Sequence, residues 1–184
     1  GNFIGTRWDG AGTLPNGTNG IVIYNAPSNF IGGAAPGARN LISGNQRSGI
    51  YVFDVFGSSI GNVIEGNYIG TDISGTTALP NTLDGVTLVN AQYIMIGGTN
   101  PGAGNLISGN GERGILMGGA NLGNIVQGNR IGTDASGRLA LGNLLSGVII
   151  DRGASNLIGG PVTAARNVIA GNRRDGVLIQ STSA

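Results

Sequence analysis

A six-residue segment, Asn40-Leu41-Ile42-Ser43-Gly44-Asn45, returns as Asn105-Leu106-Ile107-Ser108-Gly109-Asn110 and as Asn167-Val168-Ile169-Ala170-Gly171-Asn172, at intervals of 65 and 62 residues. A second segment, Gly1-Asn2-Phe3-Ile4-Gly5-Thr6, returns at 66–71 and 128–133 on the same intervals. Two interleaved series on one period require one supersecondary unit used over and over, each copy burying its apolar side against the next. The chain is therefore expected to form a single domain over residues 1–184.

The unit itself is about half that period. Glycines 20, 49, 85, 114, 147 and 176 each precede an apolar triplet, with steps of 29, 36, 29, 33 and 29 residues, so short and long units alternate. Two further short strands follow each triplet, as in Asn62-Val63-Ile64 and Asn67-Tyr68-Ile69. Runs of three to five residues, β-branched at alternate places and bounded by Gly and Asn, suit a pleated sheet, and no useful 3.6-residue period competes. The spacing predicts an all-β, right-handed parallel β-helix of about five turns, three short strands to a turn. Like residues then stack at about 4.8 Å, with Ile21, Ile50, Val86, Ile115, Val148 and Val177 forming one apolar column.

Asparagines mark the start of the third strand: Asn2, Asn40, Asn67, Asn105, Asn129 and Asn167. Asn tolerates turn geometry and stacked copies bond one another, so a structural ladder is expected rather than a binding role. Ile94 interrupts the matching Asn series at the second strand. Loops differ by unit. Short units insert residues 34–39, 99–104 and 161–166 before the third strand, and long units insert 6–16, 71–81 and 133–143 after it.

Composition excludes several classes. The 37 glycines follow no Gly-X-Y period, and the regularly placed Ile and Val argue against disorder. A net charge of +1 provides no field for nucleic acid, and no 18-residue apolar run could cross a bilayer as a helix. Neither Cys nor His occurs, which removes thiol chemistry, disulfides, and the commonest general base and zinc ligand.

The N-x-I-x-G-N and G-N-x-I-G-T-D patterns of these units resemble the right-handed parallel β-helix repeats of the pectate-lyase-like superfamily. They are particularly similar to tandem repeats of large secreted or surface proteins of bacteria, and the resemblance spans essentially the whole chain. It implies the fold. The same fold hosts lyases, hydrolases, tailspikes, adhesins and non-catalytic modules, so an activity has to be argued from a site.

Nine carboxylates are threaded by the repeat onto scattered places. Asp84 stands between Ser48 and Arg113 in neighbouring turns, which reads as a stacked ion pair, and Asp175 stands next to Ser146. Asp72 and Asp134 recur within Thr-Asp-x-Ser-Gly; an Asx-type turn closing the long loop is the expected role, with a calcium ligand as the rival reading. Arg39 and Arg166 are expected to anchor loops through carbonyls. No clustered acids suitable for lyase or glycosidase chemistry emerge.

The outward residues are more informative, because Val22, Tyr24, Tyr51, Phe53 and Leu116 line a face that would ordinarily be polar. Leu14, Leu79 and Leu141 are expected to cover part of it. Tyr24, Tyr51 and Phe53, with Asp54, are the candidate ligand-binding residues. The expectation is a non-catalytic structural or display module, secreted or at the cell surface, that needs no cofactor and contacts polysaccharide or other copies of itself. Self-association through apolar faces or bare solenoid ends is the first choice of partner; nucleic acid and membrane are not expected. The chain reads as a fragment of a longer repeat protein without end caps of its own. The alternative is a polysaccharide lyase or glycoside hydrolase of the resembled superfamily.

Overall fold

The computed structural model describes residues 1–35 and 37–181. Its strands assemble into three parallel sheets. Sheet one stacks Ile21–Tyr24, Ile50–Phe53, Val86–Val89, Ile115–Gly118, Val148–Asp151 and Val177–Gln180 in that order. Sheet two stacks Phe30–Gly32, Val63–Glu65, Met95–Gly97, Ile125–Gln127 and Leu157–Ile158. Sheet three stacks Phe3–Ile4, Leu41–Ile42, Tyr68–Ile69, Leu106–Ile107, Arg130–Ile131 and Val168–Ile169. Every strand pairs in parallel with its counterpart one turn away, as Ile50 does with Ile21 and with Val86. This is a β-solenoid of about five turns, consistent with the right-handed sense that parallel crossovers require.

The core follows from the pleat. Alternate residues of each strand point inward, so Ile50, Val86, Ile115 and Val148 are fully buried in one column and Ile42, Ile69, Ile107 and Ile131 in another. Burying each such side chain stabilises by about 1.5–3 kcal/mol. The columns join into one continuous apolar cluster with Ile64, Ile96 and Val126 of sheet two.

Polar ladders seal the corners. Asn67 donates from its backbone N and its Nδ2 to Asn105 Oδ1, at 2.9 and 3.1 Å, and Asn105 donates in turn to Asn129 Oδ1. The expected ladder thus runs from Asn2 through Asn40 and onward to Asn167. A second runs through Asn16, Asn45, Asn81, Asn110, Asn143 and Asn172. At sheet two the pairs Asn29–Asn62 and Asn124–Asn156 are separated by Ile94, whose backbone N–H donates to Asn124 Oδ1 at 2.8 Å. Gly70, with φ of 90°, exits sheet three where a Cβ would collide with Asn110 Oδ1 and the Ser108 carbonyl. Only glycine fits there.

The long loops are small hairpins, bridged at Thr6–Thr13, Thr71–Ala78 and Thr133–Ala140. They stack into a ridge through Ile73 N to Gly10 O and Ala135 N to Gly75 O, at 3.1 and 2.9 Å. Here one expectation changes. Leu14, Leu79 and Leu141 donate their N–H to Gly5, Gly70 and Gly132 at the exits of sheet three, which seats them beside that sheet rather than over sheet one. Leu14 is 68% exposed. The outer face of sheet one is exposed at Val22 and Tyr24, half-buried at Tyr51, Phe53, Val89 and Leu116, and buried at Thr87 and Ile149.

Candidate functional site

The outer face of sheet one brings three of the four sequence-predicted ligand residues together. Tyr24 and Phe53 are register partners in adjacent turns, with ring centroids 5.6 Å apart and planes 27° apart. Tyr51 lies two residues before Phe53 on the same strand and side, at 6.1 Å and 28°. The three rings form a near-parallel aromatic strip, and its outermost member, Tyr24, is 55% exposed.

Asp54 is placed otherwise. Its neighbours in the column, Asn25 and Asn90, take left-handed backbone with φ of 49° and 54° to turn the chain from sheet one towards sheet two. Asp54 supports the same corner with its side chain. Oδ1 accepts from Phe56 N and Ser58 N at 3.0 Å each, and Oδ2 accepts from Ser59 N at 2.7 Å. Only 1% of the residue is exposed. Removal from water pushes its carboxyl up, but the N–H donors from Ser59, Ser58, Phe56 and Gly57 outweigh that and hold it below the ordinary range. The carboxylate shapes the 55–59 loop and does not face the aromatic strip.

A polar cluster that sequence reasoning only half anticipated lies at the start of sheet one. Asp84 Oδ1 accepts from Arg113 N at 3.1 Å and from its NH1 at 3.3 Å, the expected stacked ion pair. Asp84 Oδ2 accepts from Thr87 Oγ1 at 2.9 Å, and Thr87 meets Ser48 Oγ at 2.9 Å. The addition is Glu112, whose Oε2 accepts from the same Arg113 NH1 at 2.7 Å. Because both acids touch one nitrogen, these oxygens lie within 3.3 + 2.7 = 6.0 Å of each other. Column threading separates them, since Glu112 aligns with Leu83, not with Asp84. The adjacent Glu112-Arg113 step was the available signal.

Burial pushes the Asp84 carboxyl up, and the Arg113 charge and the Thr87 hydroxyl only partly counter it. Arg113 Nε is buried with no partner. The cluster floors a depression of about 380 Å³ that Asn19, Arg47, Tyr51 and Leu116 also line. That upper bound on the Asp84–Glu112 separation includes the carboxyl spacing of a retaining glycosidase, about 5–5.5 Å. Arg113 NH1 lies between the two carboxyls and contacts both.

Asp72 and Asp134 are turn carboxylates. Asp72 Oδ1 accepts from Thr76 N and Thr77 N at 3.1 Å, and both of its oxygens lie 2.8 Å from Ser74 Oγ. Asp134 repeats this with Arg138 N, Leu139 N and Ser136 Oγ. Desolvation opposes the shift at Asp72, but the Ser74 hydroxyl and loop N–H groups hold its carboxyl low; at Asp134 the Ser136 hydroxyl leads the same lowering. Among the described residues no group of three or more His, Cys, Asp or Glu side chains could hold a metal. Arg39 lies over the Tyr68 ring, 4.0 Å from its centroid, a cation–π contact in place of the expected carbonyl anchor. Asp175 Oδ2 accepts from Ser146 Oγ at 3.2 Å, as its place in the repeat implied.

The second Asn ladder is the other feature missed. Each of its members stands four residues before a marker glycine, Asn16 before Gly20 and Asn172 before Gly176 alike, and that constant offset was visible. No family model, no curated protein and no solved structure matches this chain.

Proposed function

We propose that this chain is a rigid, non-catalytic β-solenoid module, a spacer or display element of a secreted or cell-surface protein, which presents the outer face of sheet one to a partner. The carrying observation is where the recurrent residues go. Apolar columns and two continuous Asn ladders run the length of the stack, so the repeated chemistry serves stiffness and length. Asp54, Asp72, Asp84 and Asp134 are each engaged by their own loop or by an adjacent turn. Among the side chains left outward is the stacked aromatic strip of Tyr24, Tyr51 and Phe53, suited to a sugar ring or an apolar protein surface.

Membership of the pectate-lyase-like superfamily, and a bacterial surface protein as the parent, are part of this reading and are supported by the repeat patterns. A polysaccharide lyase or glycoside hydrolase is the second reading, favoured by the approach of Asp84 to Glu112. One experiment separates the two: a polysaccharide pull-down on the purified chain, with reducing and unsaturated ends assayed in the same wells. The module reading expects no new ends from any polymer, with or without retention. Release of ends that Asp84→Asn abolishes would replace it with the enzyme reading.

A further inference from the structure

Resting on the module reading above, we propose that the outer face of sheet one is a homodimer interface. Two copies would pack face to face and antiparallel, about a two-fold axis that runs along the strands between Ile50–Phe53 and Val86–Val89. The shape of the face sets this pairing. The four strands from Ile21–Tyr24 to Ile115–Gly118 carry two outward columns, and both change size along the axis. One reads Tyr24, Phe53, Val89, Gly118 in register; the other reads Val22, Tyr51, Thr87, Leu116. Both bulk and hollow belong to the same face.

The hollows are real. At Gly118 a built Cβ meets nothing within 4 Å, and a depression of about 550 Å³ opens there between Val89 and Arg152. At Thr87, a recessed hydroxyl floors the depression beside Arg113. The proposed axis sets the first strand of one copy on the fourth of the other, and the second on the third. Tyr24 then enters the Gly118 hollow and Tyr51 meets Thr87, while Phe53 meets Val89 and Val22 meets Leu116. Large faces small or medium on every rung, the interdigitation that two sheets about 10 Å apart need. The other face-to-face choice, an axis along the solenoid, would set Tyr51 of one copy on Phe53 of the other at a single level, over-packing that rung, and would put Leu116 rather than an aromatic ring over Gly118.

Charge agrees with shape. None of these eight outward residues is an acid or base charged at neutral pH, so a charged partner finds no complement among them. Flanking them is the column Thr18, Arg47, Leu83, Glu112, joined rung to rung by backbone bonds. The same axis brings Glu112 of one copy opposite Thr18 of the other, one rung of about 4.8 Å from Arg47. Two such opposite-charge approaches form per dimer. Four facing rungs about 13 Å wide cover about 250 Å² of sheet per copy, below the about 600 Å² per partner at the low end of specific interfaces, so the dimer is expected to be weak, to depend on concentration and to draw on the flanking loops.

Sedimentation equilibrium of the full chain, up to millimolar concentration, tests this with four proteins. The native chain is expected to dimerise. Gly118→Tyr fills the hollow and Tyr24→Gly removes the knob; each should weaken association about tenfold or more, a change of about 1.4 kcal/mol. The double variant Tyr24→Gly/Gly118→Tyr exchanges knob and hollow and should restore association to within about threefold of native. Circular dichroism melting verifies that each variant is folded. A native chain that stays monomeric, single variants that associate as the native chain does, or a double variant as weak as the singles would each overturn the interface. So would retention of a monomer on lipid vesicles or on a glucan through Tyr24, which would assign the face to that occupant. Those outcomes leave the module reading in place, since only polysaccharide cleavage removes it.

Discussion

Replacing Asn105 with Ala measures what a ladder rung contributes. Its Oδ1 accepts two bonds from Asn67, and its Nδ2 donates to Ile64 O at 2.8 Å and to Asn129 Oδ1 at 2.9 Å. The residue is 1% exposed and Asn67 is fully buried. Truncation therefore orphans the buried N–H of Asn67, at about 1–3 kcal/mol, while Asn67 Nδ2 keeps Ile31 O and Glu65 O. With the lost bonds to Ile64 O and Asn129 Oδ1 at about 0.5–1.5 kcal/mol each, the total is about 2–6 kcal/mol. That is a large share of the 5–15 kcal/mol that about any domain has to spare. Asn16 is the control: it is exposed and makes a single 2.9 Å bond to Asn45 Oδ1, which water can replace. Asn16→Ala should cost less than about 1 kcal/mol. Urea unfolding followed by far-UV circular dichroism, at unchanged slope, gives both values. If the two variants differ by less than about 1 kcal/mol, the ladder is decoration and the reasoning from orphaned donors is wrong.

Ile107→Asp places an unpaired charge in the continuous isoleucine column and should prevent folding; a soluble variant with a cooperative melt would refute the column. The double variant Asp72→Ala/Asp134→Ala should lower the melting temperature by the same amount with and without millimolar calcium, because the loop N–H groups already occupy both carboxylates. Any calcium-dependent difference restores the metal reading. Asp54→Asn tests the pH sign. A carboxyl held below its unfolded value contributes stability above the ordinary range and loses it as pH falls through the lowered value. The variant should thus melt below the native chain at pH 7, and the gap should narrow below about pH 4; a gap that widens on acidification contradicts the corner assignment.

The architecture was legible because a solenoid converts sequence period directly into contact. Once Ile42, Ile69 and Ile107 fall on one period they must stack, and the break at Ile94 appears where the sequence breaks. Side chains that cross between columns escape such threading. Glu112 reaches Asp84 through Arg113 because a guanidinium spans two columns, and Arg39 settles on Tyr68 because a planar cation finds a nearby ring. Asp54 looked like a site residue because it stood beside aromatics, but direction decides, and its oxygens turn to their own loop. The placing of Leu14, Leu79 and Leu141 over sheet one failed for a related reason. Loop length is visible in the sequence, whereas the sheet a loop leans on is set by the backbone bonds at its base, here at Gly5, Gly70 and Gly132.

The alternation of turn lengths has a mechanical consequence. Bonds between turns lie along the solenoid axis, so a pull applied across its ends loads them in tension, one layer at a time, instead of shearing many together. Each released turn would lengthen the tether by its own contour, about 3.3–3.6 Å per residue. Turns of 29 and 36 residues thus give steps of about 100 and 125 Å. Stretched in a single-molecule instrument, the chain would pay out in unequal, alternating lengths, and its repeat pattern would be readable from the force trace.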